Sequence, residues 1–184
     1  MFVSTYLFNY LIDNKDLPHI SKYHRENYYQ HCMLVLHEMA ERTTSSHMLI
    51  AAALHDIAKT RTQGLNKLGE LCFYGHEEIA DEELIQFLRV DDPRYAYVKA
   101  LCWCHMNPCA CAQAKDFDKS FRKACQKLIR KAGLEGKVEV DDQFIADVML
   151  LHEADEAGSI RSDEELADIT ARIEHAERVL ATLR

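Results

Sequence analysis

Six residues stand where apolar side chains are expected and carry chemistry instead: His31, His55, Asp56, His76, His105 and Asp155. His31 lies one helical turn before Val35, on the stripe of Cys32, Val35, Leu36 and Met39, while His37 points about 240° away from it. His24 shares that face but, on a continuous helix, sits two turns off, too far to serve the same ion. His55-Asp56 closes the face begun by Met48, Leu49, Ala52 and Ala53, whose small residues let helices approach closely. His76 opens the stripe of Ile79, Ala80, Leu84 and Phe87, and His105 follows Val98 and Leu101. Phe144, Val148 and Leu151 lead at heptad-like spacing to Asp155, with Glu153 pointing away and Asp147 about 80° off. A bare carboxylate is prohibitively costly to bury, so Asp155 must be paired, hydrogen-bonded or metal-bound. A single buried histidine is ordinarily a hydrogen-bonded core residue. Five elements each turning such a residue inward point instead to a metal centre. Histidine and carboxylate donors suit Mn, Fe, Co, Ni or Zn without choosing among them.

The elements that must position these residues read as helices, because the apolar spacing is helical and no sustained period-two alternation occurs. Helices are expected over about 2–13, 25–42, 46–59, 76–89, 93–106, 116–132, 142–157 and 163–183, an all-α bundle of about seven to eight. Gly75 precedes the fourth, Asp91-Asp92-Pro93 stops it and starts the next, and Pro108 ends the helix containing Trp103. Gly133 and Gly136 bracket a turn, and Ser162 with Glu165 resembles a capping box for the last helix, with its stripe of Leu166, Ile169, Ile173, Ala176 and Leu180. With 184 residues, only 6 Gly and 3 Pro, and no low-complexity stretch, the expectation is one domain over 1–184. Its core would span about 28–160, followed by the C-terminal helix at about 163–183.

A net charge of -8 argues against a surface that coats nucleic acid, but bound cations would still admit a small phosphorylated substrate. The apolar start, MFVSTYLFNYLI, is too short to span a bilayer and lacks a basic leader or a cleavage pattern. Seven irregularly spaced Cys then fit reduced thiols in a cytoplasmic protein with no membrane association. The cluster Cys102, Cys104, Cys109, Cys111 lacks a common structural zinc spacing, and Cys102 lies on the core stripe, so it is read as chance clustering.

The order His31, His55-Asp56, Asp155 resembles the H…HD…D signature of the HD-domain phosphohydrolase superfamily. HDIAKTRT at 55–62, FYGHEEIADEEL at 73–84, WCHMNP at 103–108, LIRKAG at 128–133 and LLHEAD at 150–155 extend the match. In that order they are similar to the HD domain attached to bacterial CCA-adding tRNA nucleotidyltransferases, and to related stand-alone HD phosphatases. No Gly-Ser plus paired-Asp motif is present, so nucleotide addition is not implied.

The resemblance implies that His31, His55, Asp56 and Asp155 hold one divalent ion, and that a second sits between Asp56, His76 and His105. It implies hydrolysis of a phosphomonoester or phosphodiester on a nucleotide or RNA end, with Asp56 as the bridging catalytic ligand. Lys59, one turn after His55 in the family's HD-x-x-K pattern, would neutralise a phosphate oxygen in the transition state. Arg61 and Arg130 are further phosphate-binding candidates. Two other HD activities compete: a mixed-valence di-iron oxygenase, and a 5′-nucleotidase or dinucleoside-polyphosphate hydrolase. The HD-x-x-E-D pattern of guanosine-tetraphosphate hydrolases is missing, because Asp56 is followed by Ile57, Ala58, Lys59 and Thr60.

Overall fold

A computed structural model describes residues 3–19 and 24–183. The fold is all-α as expected, apart from one two-stranded ribbon. Seven longer helices carry it among the described residues: α1 (Val3–Asp13), α2 (Tyr28–Ala40), α3 (Ser46–Leu54), α6 (Tyr95–Cys104), α8 (Phe117–Lys131), α9 (Asp142–Gly158) and α11 (Thr170–Thr182). Four short ones lie between them: α4 (Lys59–Thr62), α5 (Asp81–Leu84), α7 (Asn107–Cys111) and α10 (Asp163–Leu166). The ribbon pairs β1 (Gly64–Leu65) with β2 (Leu71–Cys72), antiparallel, Gly64 opposite Cys72. The expected first helix began at residue 2, which lies outside the described residues.

Helix starts are set by local caps. The Asn27 side chain accepts from Gln30 N at 2.9 Å, and Gln30 Oε1 accepts from Asn27 N at 2.8 Å, a closed capping box. That box starts α2 one turn before His31. Asp141 caps α9 through Phe144 N at 2.8 Å, and Asp116 caps α8 through Lys119 N at 3.1 Å.

α2 lies at the centre, packed by α9, α11 and α3. Tyr28 to Leu36 are buried apart from Gln30, which is why α2 reads as nearly continuous apolar sequence. At the crossing with α9, a Cβ on Gly158 would stand 2.7 Å from Val35 Cγ2 and 2.8 Å from Val35 N. Only glycine lets the helices that bear His31 and Asp155 approach so closely. No helix among the described residues is long and apolar enough to cross a membrane.

Three expected helices are corrected. Residues 76 and 77 lie in a turn and 78–80 are irregular, rather than the start of a helix over 76–89, and only Asp81–Leu84 is helical. Gly75 takes a left-handed φ of 81°, and the Ile79 carbonyl is taken by Trp103 Nε1–H at 2.9 Å, so a tertiary bond replaces a helical one. Ile79, Leu84 and Phe87 are nevertheless buried as the stripe required. Pro108 does not end the Trp103 helix; it sits in the first turn of α7, where its missing N–H costs nothing. The last helix is split into α10 and α11 at 167–169. The Ser162 half of its capping box forms at 3.1 Å, but Glu165 Oε2 accepts from Arg161 N instead. The break lets Ile169 pack with Leu34 and Ile160 in a small second apolar cluster.

Candidate metal centre

Three of the four inward histidines owe their position to one local device. His55 directly follows α3, and its Nδ1 donates to the Ala52 carbonyl at 2.8 Å, the acceptor that residue 56 would use if the helix continued. His105 does the same at the end of α6, Nδ1 to the Cys102 carbonyl at 2.6 Å. His76, in a turn, donates to the Phe73 carbonyl at 2.8 Å. A carbonyl only accepts, so each Nδ1 must carry a proton, and in the neutral ring Nε2 is the nitrogen that presents a lone pair. His31 comes from the middle of α2, and there the group facing Nδ1 is a carboxylate oxygen, Glu26 Oε1 at 3.2 Å.

The Nε2 atoms of His31, His55 and His76 lie close against the two carboxylates, and His105 stands beside His76. Asp56 Oδ2 lies 3.2 Å from His31 Nε2 and 3.3 Å from His55 Nε2, whereas Asp56 Oδ1 lies 3.3 Å from His76 Nε2. Asp155 Oδ1 stands 3.2 Å from His31 Nε2 and 3.5 Å from His55 Nε2. His31, His55 and Asp155 form one group whose donor atoms lie within 4.8 Å of one another, and Asp56, His76 and His105 form a second. The His31–His55, His55–His105 and His76–His105 ring centroids are 5.3, 5.3 and 5.2 Å apart, an arc with Asp56 between its two halves.

Electrostatics give the same picture. With the imidazoles neutral, as ligation requires, Glu26, Asp56 and Asp155 are opposed at close range by one buried ammonium, Lys59, which leaves two negative charges. Burial pushes the Asp56 carboxyl up, but Lys59 and His55 outweigh it and hold it well below the usual range. Asp155 is held down likewise, burial being outweighed by His31 and His55. In return His55 is raised to about 9 and His31 goes well up, despite burial, through these carboxylates. His105 goes the other way, to about 3, because burial and the neighbouring His76 and His55 all disfavour its charge. Its Nε2 is buried without a hydrogen-bond partner, and Asp56 Oδ2 has no aligned donor although Lys59 Nζ is 2.5 Å away. Without an ion, protons on His31 and His55 balance those two charges; a divalent transition ion fits in their place, given the buried lone pairs and the all-N/O donor set.

Lys59 is drawn inward rather than standing at a mouth. It is buried, with Nζ 3.0 Å from His19 Nε2 and 5.5 Å from the centroid of the Phe73 ring. Arg61 and Arg130 are not brought to this cluster: Arg61 pairs with Glu83 at 2.9 Å and Arg130 with Glu135 at 3.4 Å, both at the surface. The cysteine cluster is divided by burial, with Cys102, Cys104 and Cys111 inside and Cys109 exposed. Asp147 is buried too, but on Tyr97 OH and Gln143 Nε2, each at 2.8 Å. Two surface clefts, of about 530 and 480 Å³, are lined by none of the six residues.

Three residues of this region had no signal in the periodicity. Residues 24–27 precede α2, so His24 is not two turns away: its ring lies 4.9 Å from His31, and its Nδ1 reaches Glu26 Oε1 at 2.7 Å. Glu26 is fully buried, and its Oε2 also accepts from Arg25 N at 3.0 Å and Ile160 N at 3.1 Å. His19 stacks 5.0 Å from His31. All three lie in irregular chain, where no stripe marks a buried polar group. Glu26 could have been suspected only as a charge set directly before a helix cap.

A family model, the HD domain, matches residues 28–157, which encloses all six residues from His31 to Asp155. No curated protein and no solved structure matches the chain.

Proposed function

The chain belongs to the HD-domain family of metal-dependent hydrolases, and from that premise we propose that it hydrolyses a phosphate ester on a nucleotide or RNA end. The observation that carries this reading is the division of Asp56: one oxygen faces His31 and His55, the other faces His76. His31, His55, Asp56 and Asp155 would hold one divalent ion, and Asp56, His76 and His105 a second. Such ions supply Lewis acidity toward a phosphate oxygen and lower the pKa of water near neutral pH. The Nδ1 bonds of His55, His76 and His105 hold those rings in the tautomer that ligation needs. Lys59, already 2.5 Å from Asp56, places a desolvated ammonium where phosphate charge builds up. We read the whole chain as one such domain, acting on a small phosphorylated substrate. The substrate class rests on the similarity of its motifs to HD domains attached to CCA-adding enzymes.

Protein purified without added metal is analysed for bound ions, then assayed with Mn or Ni against phosphomonoesters, 2′,3′-cyclic phosphates and 5′-nucleotides. Turnover of a phosphate ester, lost in Asp56→Ala, is the expected result. Turnover confined to 5′-nucleotides or dinucleoside polyphosphates would move the substrate to the alternative hydrolase class. An iron-dependent chromophore that consumes O₂, with no ester cleaved, would replace hydrolysis by the oxygenase chemistry.

A further inference from the structure

α2 bears a second histidine, and it faces away from the centre. His37 follows His31 by six residues, about 9 Å along the axis and about 240° around it. There α11 packs against α2, with Ala176 and Leu180 buried in the contact. His175 of α11 meets His37 with Nδ1 facing Nδ1 at 2.8 Å, the rings nearly perpendicular with centroids 5.0 Å apart. Glu41, which follows α2 and lies four residues after His37, brings Oε1 to 3.7 Å from His175 Nδ1.

We infer that His37, Glu41 and His175 form a second ion site, for a borderline divalent cation of the zinc, nickel or copper class, that pins α11 to α2. Two imidazole nitrogens 2.8 Å apart can share one proton only if one ring donates and the other accepts. A divalent ion takes the place of that proton and uses both lone pairs. With nitrogen bonds of about 2.0–2.1 Å, a tetrahedral ion spaces two nitrogens by roughly 3.3 Å, so the rings need part by only about half an ångström. The third donor is in place, the three donor atoms lying within 4.8 Å of one another. His175 and Glu41 side chains are 32% and 60% exposed, which leaves room for water to complete the shell.

The surrounding charges permit the ion. Glu38 engages both nearby guanidinium groups, Arg42 at 2.6 Å and Arg172 at 2.7 Å, while Arg172 also donates to the Ala157 carbonyl of α9. Glu41 is left facing the histidines. Burial holds the His37 pKa below its ordinary value, so a neutral imidazole is available at pH 7. Two nitrogens and one carboxylate exclude Mg and Ca, which demand oxygen shells.

The test uses the full chain, titrated with Zn²⁺ alone by calorimetry, and compares parent, His175→Ala and His37→Ala. One binding step present in the parent is expected to be missing from both variants, along with about 5 °C of the zinc-dependent rise in Tm, the remainder coming from the intact centre. Copper in the same site adds, beside the signal of the centre, a two-nitrogen paramagnetic resonance signature that His175→Ala reduces to one nitrogen. Glu41→Gln, whose side chain is mostly solvent-exposed, covers the case in which a histidine variant misfolds, and weakens that step about tenfold or more. Zinc isotherms and Tm shifts unchanged across the folded variants overturn the site. These variants leave the six residues of the centre intact, so failure here is separate from failure of the hydrolase reading.

Discussion

The two histidine groups on α2 differ in what fixes them. Around His31 the histidines are buried, His76 partly so, and three of their Nδ1 atoms end on backbone carbonyls that do not titrate. At the α11 contact, His37 and His175 are half-buried and fixed by each other. A ring anchored on backbone keeps its lone pair aimed whatever happens at the other nitrogen. Paired rings hold a donor arrangement only while one of them is neutral. Burial and anchoring therefore build a centre suited to chemistry, and a half-exposed pair builds at most a clamp.

The largest effect should come from breaking the buried group. Asp56→Ala removes the carboxylate that faces both histidine sets and should lower turnover about 10³-fold or more, with helical circular dichroism retained. A fully active variant would show that the centre is structural. Next, Glu26→Gln loosens the carboxylate facing His31 Nδ1 and should weaken ion binding at the centre about 10–100-fold. Calorimetry checks this, and an unchanged affinity would mean that His31 needs no anchor.

A smaller change follows at the α2–α9 crossing that brings His31 to Asp155. Gly158→Ala drives a methyl into the Val35 backbone and should cost about 1–3 kcal/mol, seen as a lower denaturation midpoint. The pH response divides the buried histidines among themselves. In metal-free protein the raised pKa of His55, about 9, gives stability that is complete below pH 6.5 and lost as pH rises toward 9. The depressed values of His105, about 3, and His19, about 2, give stability present above pH 6.5 and lost as pH falls through them. Melts of chelated protein should peak near pH 6.5, and a Tm flat from pH 5 to 9 would contradict the buried network. Least of all, Arg130→Ala should change stability by under about 0.5 kcal/mol and leave turnover alone, because its ion pair is exposed. A large loss of turnover would return Arg130 to the substrate.

How much of this was legible in the chain varies by residue. His31 and Asp155 could be read because each sits inside a long helix, where a polar residue on an apolar stripe is conspicuous. His55 and His105 were legible as stripe ends, but not as the residues that end their helices by capturing the carbonyls of Ala52 and Cys102. His76 was found on a helix of which only Asp81–Leu84 forms: burial of Ile79, Leu84 and Phe87 survived because irregular chain and turns around that one turn of helix bury the same residues. Glu26, His19 and the true place of His24 were not legible, since irregular backbone has no period to violate.

The sequence alone determined the all-α class, the core faces of the long helices and the six convergent residues, because 3.6-residue periodicity is a local property. Tertiary structure decided that Asp56 splits its oxygens between two histidine sets, that Lys59 turns inward onto it, and that Glu26 joins His31 to the chain after α9. Those outcomes depend on which charges meet once segments far apart in sequence are packed out of water, and no local pattern encodes that meeting.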